Sequence, residues 1–261
     1  MKIQRIVSLA PSNTEIVFAL GEGNKLVGVT QCCNYPPEVK LIDKIGGYSK
    51  PDIEKIISLS PDLVLATAID LRGTVSKLKA KGIATYAVGA KTILDAPYTI
   101  SFVGKLIGCQ EKASQLAKKI GEKIKKIHQK TKDISSRPRV CYICSHNPLC
   151  IALKSCTINK LIEVAGGLNI MRDIDRDNID DLLEVVIKKN PQVIITSKGH
   201  RETADLLSYT QNPPRFQHTD AYLNNRIYQI DAQLVCRPGP RTVKGLEILA
   251  KFIHPEIFKQ D

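Results

Sequence analysis

Eight cysteines supply most of the chemistry open to this chain: Cys32, Cys33, Cys109, Cys141, Cys144, Cys150, Cys156 and Cys236. Four of them lie in one stretch, from Cys141 through Cys144 and Cys150 to Cys156, with His146 inside it. Thiolate and imidazole are donors suited to a transition metal. Cys141 and Cys144 have the spacing of half a zinc site, but no second such pair follows. Cys141 also falls in a predicted strand, where alternate side chains face opposite ways, so one of that pair is expected in the core. Three readings stay open: structural thiols, a structural metal or cluster site, or soft donors from Cys32, Cys144, Cys150 and His146 toward a metal-bearing ligand. Catalysis has little support. There is no Gly-x-Gly-x-x-Gly and no phosphate loop, and His128, His200, His218 and His254 have no Ser or Cys partner in a motif. A thiol enzyme would need cysteines of depressed pKa.

The elements that would position these groups alternate between strand and helix, which predicts an α/β fold with parallel sheets. Arg5 to Leu9 reads as a first strand. Ser12 and Glu15 have capping-box spacing for a helix running to Leu20, stopped by Gly21-Glu22-Gly23. Lys25 to Thr30 is a second strand. Asp52 opens a short helix before the strand Leu63 to Ala66, and Thr74 to Lys81 and Ile83 to Val88 follow as helix and strand. Near residue 130 the pattern restarts, with a strand from Arg139 to Ile143 and a helix from Thr157 to Ala165 ended by Gly166-Gly167. Residues 183–196 repeat residues 53–66 at an offset of 130, sharing Glu184 with Glu54, Pro191 with Pro61 and the buried strand after each. One unit used twice predicts two similar lobes. Between them, Ala113, Leu116, Ala117, Ile120, Ile124 and Ile127 recur at helical spacing. More than twenty residues of helix span about 30 Å, a stiff connector. The predicted organisation is therefore an N-terminal lobe over 1–109, a connecting helix over 110–132 and a C-terminal lobe over 133–261.

The chain has 261 residues, 25% charged and 43% hydrophobic, a globular composition. No apolar run approaches the ~20 residues of a membrane-spanning helix. The net charge of +12 comes from 38 Lys and Arg against 26 Asp and Glu. Much of the excess lies on the connecting helix, from Lys118 to Lys132, as a solvated face. With no tryptophan and few aromatics, base-stacking platforms are lacking, which argues against nucleic acid. Met1-Lys2 leads directly into the first strand with no apolar leader or cleavage site. If Met1 is the native start, the expected compartment is the cytosol and the cysteines are thiols.

Several segments resemble, in order and over nearly the whole chain, the iron-complex and cobalamin substrate-binding proteins of ABC importers. They are Arg5 to Glu15, Gly28-Val29-Thr30, Asn34-Tyr35-Pro36-Pro37, Pro61 to Val64, Ala165 to Ile170 and Arg237 to Arg241. The Tyr-Pro-Pro and Arg-Pro-Gly-Pro-Arg segments place it closest to the cobalamin branch. The resemblance implies two Rossmann-like lobes joined by one rigid α-helix, a ligand in the cleft between them, and an extracytoplasmic location. It implies no catalysis and no required cofactor, a corrinoid or other metal chelate as ligand, a monomer, and a permease as partner. Glu54 and Glu184 stand where the family docks arginines of the permease, and a carboxylate accepts a guanidinium in bidentate fashion. Tyr48 stands where an aromatic packs on the corrin ring, and Arg237 where an arginine reaches the ligand. Other contact positions depart from the cobalamin pattern: aromatic positions read Cys32, Cys144 and Cys150, a tryptophan position reads Thr67, and an Asp position reads Gln233. A smaller or differently substituted ligand fits those losses. A cytosolic corrinoid carrier or sensor, and a thiol-dependent enzyme, are the alternatives.

Overall fold

The computed structural model describes residues 2–66, 73–146, 148–174, 181–199, 207, 210 and 216–258, without the side chain of His146. The chain forms two compact α/β units. One comprises Met1–Gly121 with Arg237–Pro240, the other Glu122–Cys236 with Arg241–Asp261.

The first unit is built on four parallel strands, β1 (Ile6–Ser8), β2 (Leu26–Val29), β3 (Leu63–Ala66) and β4 (Thr85–Ala87), in the order β2-β1-β3-β4. The short apolar runs leave β1 and β3 buried on both faces, as parallel strands covered by helices require. Helix α1 (Pro11–Ala19) follows β1. Pro11 occupies its first turn, which its fixed φ suits. Ala10 is therefore the N-cap, and Ser12 falls inside the helix, where it caps nothing. The expected capping box does not form. Asn13 and Thr14 turn inward instead: Asn13 Nδ2 donates to the carbonyls of Ala66 and Val88 at 3.0 and 3.1 Å, and Thr14 Oγ1 to Ser8 Oγ at 2.9 Å. Helix α2 (Ile53–Ser58) is capped by Asp52, which accepts from the Lys55 amide at 3.0 Å. Helices α3 (Thr74–Ala80) and α4 (Ala96–Ile107) complete the layers around a core of Val7, Leu9, Ile45, Ile56, Val64, Ala66 and Leu78.

Helix α5 (Gln110–Thr131) is the long helix expected from the periodicity, and Ala113, Ala117, Ile120, Ile124 and Ile127 along it are buried. Its residues are divided between the two units at Gly121 and Glu122.

The second unit repeats the plan. Strands β5 (Arg139–His146), β6 (Leu149–Ile151), β7 (Leu168–Asn169), β8 (Val193–Lys198) and β9 (Ile227–Asp231) form one sheet in the order β6-β5-β8-β9, with β7 also on β5. The sheet is mixed rather than wholly parallel, because β6 pairs antiparallel with β5. Only two residues separate the strands, a connection that permits a hairpin and no parallel crossover. Helices α6 (Ile158–Val164), α7 (Leu182–Lys189), α8 (Asp220–Leu223) and α9 (Thr242–Ile253) pack on it. The core includes Cys141, Ile143, Ile151, Met171, Val186, Ile194 and Phe216. As alternation predicts, Cys141 is buried while Cys144 is only half-buried.

Candidate functional site

In an open parallel sheet, ligands bind beyond the carboxyl ends of the strands. In the first unit, β2 runs into Thr30 and Cys33, whose Sγ lies 3.2 Å from the hydroxyls of both Thr14 and Thr30. That buried anchor fixes the loop that exposes Cys32 and Asn34. Lys44 bridges Val29 in parallel, and the Gln31 amide donates to the Gly46 carbonyl at 2.9 Å. This second segment brings Tyr48 beside Cys32. Tyr48 is 39% exposed, and its phenol is raised by burial and then by charge on Cys32. Arg237 joins the same loop: its Nη1 donates to Asn34 Oδ1 at 2.6 Å. Gly239 packs against Ser12: a Cβ on it would meet the serine Cβ at 3.5 Å, an ordinary contact. The structure thus gathers Cys32, Tyr48 and Arg237 at one end of the first unit, and adds Asn34 as the link between two of them. Thr67, the residue after β3, lies outside the described residues.

In the second unit, the parallel pairing of β5 with β8 ends at Ile143 and Thr196. Cys144 comes next, its carbonyl held by Ser197 Oγ at 2.7 Å. The Cys144 thiol is raised by the hydrogen bond it gives Cys150, then by burial. Cys156 and Cys236 lie near enough to bear on its charge. Cys236, Cys144 and Cys156 lie near enough to act on Tyr142, whose hydroxyl is fully buried and has no hydrogen-bond partner among the described residues. Ser197, whose hydroxyl donates to the Cys144 carbonyl, lies alongside and acts to lower the phenol. Burial pushes the Tyr142 phenol well above its ordinary value. Gln233 sits just past β9, half-buried, its amide donating to Asp231 Oδ1 at 2.8 Å. Tyr142 and Ser197 were invisible to motif reading. The only sequence cue was a tyrosine in the otherwise apolar and thiol strand 140–144.

The thiols of the second unit are poorly suited to nucleophilic chemistry. Burial raises Cys141 to about 12 and also raises Cys156, and Cys144 is held protonated by its neighbour. An activated cysteine needs the opposite shift. Among the described residues, no group of three His, Cys, Asp or Glu side chains is placed to hold a metal ion. What the cluster offers is a pair of soft atoms, Cys144 and Cys150, at the rim of the sheet.

Glu54 and Glu184 occupy matching positions on α2 and α7. Each lies in the first turn and is exposed. Each helix is capped by an aspartate, Asp181 in the second unit accepting from the amides of Leu183 and Glu184 at 2.8 and 3.2 Å. Ile56 and Val186, two residues on, are both fully buried and hold the helices against their sheets. Each glutamate is thereby presented outward from a rigid element.

Residues 6–234 match the model of the periplasmic binding protein family. A substrate-binding lipoprotein of an ABC transporter from Bacillus subtilis (strain 168), itself uncharacterised, is 34% identical over 98% of this chain and 82% of its own length. Among solved structures, the apo periplasmic heme-binding protein from Roseiflexus sp. RS-1 superposes with a TM-score of 0.82 at 28% identity, covering 97% of this chain and 98% of its own. The periplasmic vitamin B12 binding protein of Vibrio cholerae gives 0.84 at 26%, covering 99% of each. Heme- and cobalamin-binding relatives are thus about equally similar, with no bias toward the cobalamin branch.

Proposed function

This chain belongs to the periplasmic binding protein family, and from that premise we propose that it captures a metal-bearing tetrapyrrole or other metal chelate outside the cytoplasm and delivers it to an ABC permease. Its family makes it a substrate-binding protein and not an enzyme. The observation that carries the ligand reading is where the candidate contacts sit. Cys32 in one unit, and Cys144 and Gln233 in the other, follow the carboxyl ends of parallel strands; Tyr48 and Arg237 join the Cys32 loop, and Cys150 pairs with Ser145 next to Cys144. Arg237 suits a carboxylate substituent of the ligand, and Tyr48 a flat macrocycle.

The ligand would lie between the units, and the protein would act as a monomer. The cysteines at former aromatic positions favour a ligand less dependent on ring stacking than cobalamin, while Tyr48 and Arg237 keep a corrinoid in contention. Glu54 and Glu184 supply the permease contacts.

A thermal-shift screen against cyanocobalamin, hemin and a ferric chelate tests the reading. A ligand at a hundredfold excess over its Kd adds about 2.7 kcal/mol to stability. For a chain of this size that raises the melting temperature by about 5–10 °C. No shift with any of the three rejects the ligand class.

A further inference from the structure

The hairpin of β5 and β6 contains a bulge that the transport reading does not use. Ile143 pairs with Ile151, and Ser145 with Cys150, so β5 takes two steps while β6 takes one. The extra residue is Cys144. In a bulge of this kind, two residues oppose one on the partner strand, so Cys144 and Ser145 both face Cys150. The Cys144 and Cys150 side chains are hydrogen-bonded to each other. Both are half-buried and thus reachable by a small molecule. Their anchoring differs: Ser197 ties the Cys144 carbonyl at 2.7 Å, whereas Cys150 lies on a three-residue strand at the sheet edge.

We propose that Cys144 and Cys150 are a redox-reversible pair that closes to a disulfide across the bulge, under oxidation by a low-molecular-weight disulfide. Cys150, on the edge strand, is the sulfur placed to meet the oxidant first. Its thiolate attacks one sulfur of the external disulfide, forming a mixed disulfide and releasing one thiolate. The Cys144 sulfur, losing its proton to solvent, then attacks Cys150 and expels the second thiolate. Two protein thiols become one disulfide, two electrons pass to the oxidant, and the two protons end on the two released thiols. The bond needs sulfurs about 2 Å apart, and β6, paired with a neighbour strand on one side only, is the element that would make that approach. Extracytoplasmic members of this fold meet the oxidising conditions in which such a bond persists.

The test uses the full chain equilibrated in glutathione buffers from fully reduced to fully oxidised. Free thiols are then blocked with N-ethylmaleimide and the peptides mapped by mass spectrometry. The expected result is that Cys144 and Cys150 lose alkylation together, are recovered as one crosslinked species, and regain alkylation after dithiothreitol. Cys141, buried in the core, stays out of any disulfide. In Cys144→Ser, Cys150 should instead carry a glutathione adduct. The proposal is overturned if both residues remain alkylated at every ratio, if either links to Cys156 or Cys236 instead, or if the wild-type chain stops at glutathione adducts. None of these outcomes depends on which ligand the protein carries.

Discussion

Arg5 and Arg139 make the same connection in the two units. Arg5 donates from Nε and Nη2 to the Leu59 carbonyl at 3.0 and 2.6 Å and from Nε to Ser60 at 3.2 Å, while Arg139 donates from Nε to the Asn190 carbonyl at 2.8 Å. Ser60 and Asn190 both have positive φ, 45° and 43°, at the end of α2 and α7. Each arginine thus satisfies carbonyls left over where a helix turns back into a strand. The backbone is tied as well. The amides of Asp62 and Gln192 donate to the Arg5 and Arg139 carbonyls, both at 2.8 Å, and their side chains accept the arginine amides in return at 2.9 and 3.0 Å. Hydrogen bonds to a charged donor contribute about 1.5–3 kcal/mol when protected, and partial exposure lowers that figure. Arg5→Ala and Arg139→Ala should each destabilise the protein by about 1–2 kcal/mol, read by urea denaturation. Arg139→Lys should recover little, since a point ammonium cannot reproduce the fork to Asn190 and Asp220.

One difference between these tie points predicts a pH effect. Asp62 is ionisable where Gln192 is neutral. Backbone hydrogen bonds from Gln4 and then Arg5 hold the Asp62 carboxyl below its ordinary value. A group with a folded pKa below its unfolded one stabilises the protein above the unfolded pKa, and that stabilisation is lost as pH falls through the folded pKa. The contribution of Asp62 should therefore be full at neutral pH and disappear on descending below about pH 4. Asp62→Asn should flatten that part of the acid side of the stability curve, measured by denaturation across pH. An unchanged acid limb would show that the two amide hydrogen bonds do not stabilise the carboxylate.

The Ala165-Gly166-Gly167 segment has a packing reason. Gly166 has φ of 88°, and a Cβ there would lie 2.7 Å from His254 Nε2 and 2.9 Å from Thr131 Cβ. The carbonyl of Gly166 also lies 3.1 Å from His254 Nε2, and Thr131 Oγ1 donates to the Val164 carbonyl at 2.8 Å. No room can be made without breaking this junction of α5, α6 and the end of α9. Gly82 provides the control: its φ is 76°, but nothing lies within 4 Å of a Cβ. Gly82→Ala should cost about 1 kcal/mol from backbone strain alone. Gly166→Ala should cost about 2–4 kcal/mol, because steric overlap adds to that strain. Equal losses for the two variants would refute the packing explanation.

The repeat was legible in the sequence wherever one offset served. Glu54 with Glu184, Ile56 with Val186, and Pro61 with Pro191 all lie 130 apart, and the structure gives each pair the same place. Arg5 and Arg139 lie 134 apart, so a four-residue difference in the connection hid the arginines. The Ser12 capping box failed because Pro11 took the helical position first. The antiparallel β6 was missed because periodicity gives no strand direction; the short connection at Pro148 held that information. The site divides in the same way. Alternation showed that one of Cys141 and Cys144 would be core without saying which, and no pattern in one strand shows that the Tyr142 hydroxyl, near sulfurs from distant segments, would be left without a partner.

If Cys144 and Cys150 contact the metal of the ligand, the ligand's visible spectrum should report it. Measured with reductant present, so that the thiols stay open, bound hemin or corrinoid should show a band set distinct from that of a Cys144→Ala, Cys150→Ala variant. Identical spectra would reject sulfur ligation. The raised pKa of Cys144 adds a direction to the test. A thiol held protonated must release its proton to ligate as thiolate, so the sulfur-dependent spectral change should strengthen as pH rises.

If Glu54 and Glu184 dock on the permease, charge reversal at both separates delivery from capture. Glu54 and Glu184 are exposed in the first turns of α2 and α7, and their side chains are not part of either core. Surface changes of this kind usually shift stability by no more than about 0.5 kcal/mol. They also lie near helix N-termini, where exchanging a negative for a positive charge loses a further fraction of a kcal/mol. Neither effect unfolds the protein. Glu54→Arg with Glu184→Arg should therefore leave the ligand-induced thermal shift unchanged while abolishing uptake by the cognate permease in vesicles. Because the two carboxylates come from repeated units, each single variant should retain part of the docking, and the pair should lose it. Full uptake by the double variant would remove both glutamates from the permease interface; a lost thermal shift would place them at the ligand instead.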